Sequence, residues 1–129
     1  MVVVTGPRID PASLPRVDGL EYRGFVPDLY AHFAACDLAV VQGGLGTCME
    51  LTATRRPFLY FPLRNHFEQT IHVPHRLARY GAGTRMDYHE TTPEALAEAI
   101  ADGLKRPVLS RDVEAGGARR AAEIIARLL

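Results

Sequence analysis

The chain has 129 residues, 47% of them apolar, and 15 Lys and Arg balance 15 Asp and Glu. That length supports one domain over residues 1–129 with a real core, and so apolar a chain is not disordered. With zero formal net charge and no long run of like charge there is no basic footprint, so no nucleic-acid partner is expected. No apolar stretch approaches the roughly 20 residues that span a bilayer, so no membrane span is expected. Met1-Val2-Val3-Val4 is too short for the apolar core of a secretion signal. Cys36 and Cys48 read as two reduced, buried thiols of a cytoplasmic protein.

Val2-Val3-Val4, ended by Gly6-Pro7, reads as a buried strand. A loop with Pro7, Pro11 and Pro15 leads to a short alternating strand, Leu20-Glu21-Tyr22-Arg23. Pro27-Asp28 starts a helix that runs to about Ala35. Leu38-Ala39-Val40-Val41 is a continuous apolar run, as expected of a parallel strand covered on both faces. Gly43-Gly44-Leu45-Gly46 is a turn, and Thr47 to Arg55 a helix that Pro57 prevents from continuing. Phe58-Leu59-Tyr60-Phe61 is a buried strand closed by Pro62.

The pattern from His66 to Arg79 is helical, but Pro74 lies inside it and predicts a kink or two short helices. Gly81-Ala82-Gly83 stops this stretch, and Thr84-Arg85-Met86 is a last short strand. Thr92-Pro93 is a cap followed by proline at the first helical position, with Leu96, Ile100 and Leu104 on one stripe. In the tail, Ala118, Ala121, Ala122, Ile125 and Leu128 again fall at helical spacing. Strands alternating with helices predict an α/β fold, a Rossmann-like parallel sheet with helices on both faces. Ligands of such sheets bind beyond the carboxyl ends of the strands.

The loop after Val41 is the most informative. Glycines between a strand and a helix let backbone N–H groups approach a ligand, and a helix start suits a phosphate. The same glycines also serve many folds as a plain tight turn. Thr47-x-x-Glu50 matches a capping box, with Glu50 reaching back to the helix start. Alternatively, Glu50 accepts hydrogen bonds from two ribose hydroxyls and Thr47 donates to a phosphate oxygen. His66-Phe67-Glu68-Gln69 follows the strand ended by Pro62. Glu68 can accept sugar hydroxyls and the Gln69 amide can both donate and accept, or the segment is a solvated first helical turn. His72 and His75, with His66 upstream, do not make a metal site, because Pro74 disturbs their geometry and no third ligand is well placed. No nucleophile motif and no Gly-Lys-Ser/Thr phosphate loop is present.

Three ordered pieces carry a family resemblance: Gly24-Phe25-Val26-Pro27; Gly43-Gly44-Leu45-Gly46-Thr47 with Glu50; and Pro57, Pro62 and Glu68-Gln69. Over about residues 1–104 the chain resembles the C-terminal, donor-binding domain of GT-B glycosyltransferases, of the family 28 and UDP-glycosyltransferase type. The resemblance implies that Phe25 and Val26 lie against the base. It implies that Gly43, Gly44, Gly46 and Thr47 hold the diphosphate, Glu50 the ribose, and Glu68 and Gln69 the transferred sugar, with His66 beside them. Gln42 stands where many relatives have a phosphate-contacting His; its amide can still donate. Thr70 replaces an Asn common in the family.

The resemblance further implies a domain that lacks its first strand and helix, read as a truncated chain, a short gene product or a subunit of a split enzyme, with possible self-association through the open edge. The expected function is transfer of a hexosyl group from a nucleotide diphosphate sugar, UDP-linked by family frequency, to an acceptor hydroxyl. No cofactor and no metal is required. The catalytic base is expected in an N-terminal acceptor-binding domain or a separate subunit, so no catalytic residue is assigned in this chain and the chain alone is expected to be inactive. The competing readings are a non-catalytic nucleotide-sugar-binding subunit, a 2-epimerase-like GT-B domain, and an α/β fragment that binds nothing.

Overall fold

A computed structural model describes residues 1–128. Strands and helices alternate as the sequence predicts, and every strand pairing is parallel. The chain separates into two compact units, Met1–His32 and Phe33–Leu129.

In the first unit β1 (Val2–Val4) pairs with β2 (Glu21–Arg23), Val3 opposite Tyr22. The β-branched valines suit the pleat. The strand is not buried as expected, however: Val2 and Val4 share one face by alternation, and both are exposed. The Thr5 N–H continues the ladder to the Arg23 carbonyl at 2.9 Å, while the Thr5 hydroxyl donates to the Ile9 carbonyl at 2.8 Å. α1 (Leu29–Ala35), whose residues from Phe33 on belong to the second unit, begins later than Pro27-Asp28 predicts. Asp28 takes a left-handed backbone, φ 50°, and its carboxylate accepts the Ala31 N–H at 3.2 Å, so it stands before the helix as its cap.

In the second unit β3 (Ala39–Gln42), β4 (Phe58–Phe61) and β5 (Thr84–Arg85) form a parallel sheet in that order. α2 (Leu45–Ala53) joins β3 to β4. A π-helical turn (Glu68–His72) and α3 (Val73–Tyr80) join β4 to β5. The register sets Ala39 opposite Phe58 and Val41 opposite Tyr60. These four residues pack with Phe33 of α1, Cys48 and Leu51 of α2, and Val73 and Leu77 of α3. Fully burying a side chain of Leu or Phe size stabilises by about 1.5–3 kcal/mol, so this cluster is the main hold on the sheet. Leu59 is buried on the opposite face, where α4 (Pro93–Lys105) contacts β4. Helices thus lie on both faces of this sheet. The cover over β3 is incomplete: Val40, expected to be enclosed, is 42% exposed.

Pro74 acts as its chemistry dictates. It has no N–H to give the Thr70 carbonyl, and its ring crowds that carbonyl. The chain widens there into the π turn, in which the Val73 N–H reaches back to the Glu68 carbonyl. α3 then ends at Gly81, φ 64°. Thr92 caps α4, its hydroxyl accepting the Ala95 N–H at 3.2 Å, with Pro93 in the first turn. Leu96 and Ile100 of the predicted stripe are half-buried, whereas Leu104 is exposed. The tail forms α5 (Gly117–Ala126), yet Ile125 and the following Leu128 stay exposed. Helical spacing specified that helix without specifying a partner for its face. Among the described residues no helix is long and apolar enough to cross a membrane.

Candidate functional site

β3 delivers the chain to Gly43-Gly44 at its carboxyl end, and α2 starts at the next residue. The Gly43 N–H donates to the Phe61 carbonyl at 3.0 Å, and the Gly44 N–H to the Gln42 carbonyl at 2.8 Å. A Cβ on Gly43 would lie 3.0 Å from the Pro62 Cα, so packing against the neighbouring backbone accounts for this glycine. Packing does not account for Gly44 or Gly46, since a Cβ at either would meet nothing within 4 Å. Gly44 is the N-cap of α2 in ordinary extended geometry, φ −68° and ψ 137°, a position that glycine suits about as well as Thr but to which it brings no side chain to satisfy the first N–H groups. Gly46 lies within the first turn, and glycine inside a helix is worse than alanine by up to about 1 kcal/mol. Neither glycine brings a side chain to the start of α2, which therefore stays bare.

The first N–H groups of a helix have no partner inside it. In α2 these belong to Leu45, Gly46 and Thr47. The Leu45 N–H is aimed at the Glu68 Oε1, 3.4 Å away. The N–H groups of Gly46 and Thr47 have no acceptor among the described residues. Open donors at the positive end of a helix dipole are the arrangement that binds phosphate.

α2 starts two residues before the predicted Thr47, because extended Gly44 supplies the cap position. This removes the capping-box reading. Thr47 is inside the first turn, and Glu50 lies in the second turn, past reach of the helix start. The Glu50 side chain is exposed and hydrogen-bonded to no residue among those described; only its carbonyl is engaged, by Thr54. At the other end α2 stops at Ala53, short of the predicted Arg55, which takes a left-handed backbone, φ 54°, and pairs with Asp112 at 2.8 Å.

The segment after β4 comes to the same turn. Glu68 is partly buried beside Leu45 instead of lying in a solvated first turn. Gln69 is buried, its Oε1 accepting the Leu63 N–H at 3.0 Å, so it shapes the loop and leaves only its amide nitrogen for a ligand. His66 is exposed, and its carbonyl accepts both the N–H and the hydroxyl of Thr70 at 3.0 Å. Arg64 holds the loop from outside by pairing with Asp87 at 3.2 Å. The Asp87 carboxyl is held below its usual range, mainly by the His89 N–H and also by Arg64. Gln42 is exposed and lines an open apolar groove of about 680 Å³ with Val40, Pro62 and Leu96. In the first unit Phe25 is 81% exposed and Val26 is buried.

Burial pushes the Cys48 thiol up to about 11, so it is a neutral packing group and no nucleophile at neutral pH. Among the described residues no group of three or more His, Cys, Asp or Glu could hold a metal ion. The contact from Glu68 to Leu45 left no trace in the sequence. Its partners are 23 residues apart, and neither short motif contains both.

Comparison with known proteins gives the family of the chain and a likeness of fold. The family model for the glycosyltransferase family 28 C-terminal domain matches residues 2–128, and the chain belongs to that family. The match takes in the tail beyond residue 104, which the motifs alone did not reach. The chain is similar to an uncharacterized glycosyltransferase of Methanosarcina mazei, 36% identical over 98 residues, 75% of this chain and 26% of that protein. It is also similar to the UDP-N-acetylglucosamine–N-acetylmuramyl-(pentapeptide) pyrophosphoryl-undecaprenol N-acetylglucosamine transferase of Acidiphilium cryptum. There the identity is 34% over 109 residues, 84% of this chain and 29% of that protein. The chain thus spans between a quarter and a third of the length of these relatives. Among solved structures, the glycotransferase of kitacinnamycin superposes with a TM-score of 0.65 over 81% of this chain and 26% of its own, at 24% identity; this likeness speaks for the fold.

Proposed function

We propose that residues 1–129 form one donor-binding domain, which holds a UDP-linked sugar while its hexosyl group passes to an acceptor hydroxyl. The observation that carries this reading is the bare start of α2: Gly44 and Gly46 have no packing reason to be glycine, and the Gly46 and Thr47 N–H groups are open. Donors fixed in place before the reaction stabilise a departing diphosphate without reorganising. Helix dipole and amides supply the positive potential, so no metal is needed. Thr47 offers its hydroxyl to a phosphate oxygen and Glu50 accepts the two ribose hydroxyls. Glu68, with the amide nitrogen of Gln69, reads the hydroxyls of the sugar, and exposed His66 stands beside them. The base that activates the acceptor comes from an N-terminal acceptor-binding domain or a separate subunit, and this chain alone transfers no sugar. The reaction takes place in the cytoplasm, consistent with two unpaired cysteines.

Gly44→Asp separates this function from the fold. An Asp N-cap is better than Gly by a few tenths of a kcal/mol and its charge adds about 0.3–1 kcal/mol at the helix start, while it also sets a fixed anion on the donors that a diphosphate needs. The expected result is a higher melting temperature together with at least about a tenfold loss of UDP affinity by calorimetry, the scale of one displaced charge-assisted hydrogen bond. A more stable variant with undiminished UDP affinity would place the nucleotide away from α2.

A further inference from the structure

Resting on the donor-site reading above, we propose that Glu68 is a displaceable occupant of the α2 N-terminus: its carboxylate covers the Leu45 N–H in the free protein and yields that donor to the diphosphate. The contact spans 3.4 Å and is partly buried. A firmly held charge-assisted N–H···O bond is about 2.7–2.9 Å, so this one is loose. Beside it the Gly46 and Thr47 N–H groups stand open. An arriving diphosphate therefore finds two free donors and a third under a carboxylate of its own charge sign. Both anions cannot hold the Leu45 N–H, and the diphosphate, with two further donors, displaces the side chain. Gln69 is buried and bonded to the Leu63 N–H, so the displacement is confined to Glu68.

The displaced carboxylate is then free to accept a sugar hydroxyl, which ties sugar reading to prior seating of the diphosphate. After transfer, UDP carries no sugar to hold Glu68 away. The displaced carboxylate then has no sugar hydroxyl to hold it and competes with the diphosphate for the Leu45 N–H, which weakens the hold on the product. Glu68 is thus a specificity-determining residue that separates intact donor from spent nucleotide.

Glu68→Gln removes the charge and keeps the size. The expected result is about a threefold or greater gain in affinity for both UDP and inorganic pyrophosphate, the scale of one charge at a helix end, with no matching gain for a UDP-sugar. In the unsubstituted chain, saturation with UDP is expected to shift the Glu68 side-chain carboxyl ¹³C and Leu45 amide resonances together, a reading that does not depend on the variant folding. If UDP binds the unsubstituted chain but Glu68→Gln binds it equally or more weakly, or the Glu68 carboxyl does not respond, the proposal is overturned and the donor site stands. If neither chain binds UDP or pyrophosphate, the donor-site reading falls and this proposal falls with it.

Discussion

Gly83→Ala is expected to destabilise the chain by about 2–4 kcal/mol, combining overpacking of a core with a left-handed backbone imposed on a non-glycine residue. Gly83 has φ 69°, and a Cβ there would lie 2.5 Å from Phe58 Cε2 and 2.6 Å from Cζ. Phe58 cannot move aside easily, because it is 2% exposed and belongs to the cluster that holds β4 to α2 and α3. Gly103 in α4 is the control. A Cβ there would lie 2.4 Å from Leu38 Cδ1, the free end of a flexible side chain. Alanine also favours a helix interior over glycine by about 1 kcal/mol, so Gly103→Ala is expected to be near neutral. Urea unfolding of the two variants measures the difference. Equal stabilities would mean that the ring of Phe58 is not fixed against Gly83.

Glu50→Ala is expected to weaken UDP binding by about tenfold to a hundredfold, the scale of about 1.5–3 kcal/mol for hydrogen bonds to a charged group. Stability should change by less than about 0.5 kcal/mol, as for an exposed residue with no structural partner. The two expectations go together because the structure takes away the capping role that would have joined them: α2 starts at Leu45, and Glu50 is hydrogen-bonded to no described residue. Titration with 2′-deoxy-UDP completes the test. Deleting the hydroxyl should weaken binding to the unsubstituted chain and have little further effect on Glu50→Ala. A full deoxy penalty in the variant would give the ribose a different partner.

The strands and their alternation with helices were legible because period and punctuation agree. Phe58-Leu59-Tyr60-Phe61 lies between two prolines and forms β4 over those four residues. Thr92-Pro93 gave the start of α4 for the same reason, a side-chain cap next to a residue with fixed φ. The start of α2 was not legible. Thr47-x-x-Glu50 has the pattern of a capping box, and Gly44 carries no side chain to mark the earlier start. Burial was also hidden where one strand alternates between two environments. Val41 packs on the core while Val40 is open, although both are the same residue type in one apolar run.

For the site, the residue types were legible and their engagement was not. Gln69 looks free in the sequence, yet its carbonyl oxygen holds Leu63. Glu68 looks like a solvated helix start, yet it rests against Leu45 of another helix. The Glu68 contact depends on how the β4–α3 loop returns to the glycine turn, and the Gln69 contact on how that loop folds on itself. Both residues open the wide turn ahead of Pro74, which no residue pair in the sequence encodes alone.

A nucleotide diphosphate seated on the start of α2 touches the backbone amides of its first turn. Titrating the ¹⁵N-labelled chain with UDP and following the backbone amides tests this seating most directly. Saturable shifts are expected, largest at Leu45, Gly46 and Thr47. Saturable binding with its largest shifts elsewhere, and these three amides unmoved, would contradict it.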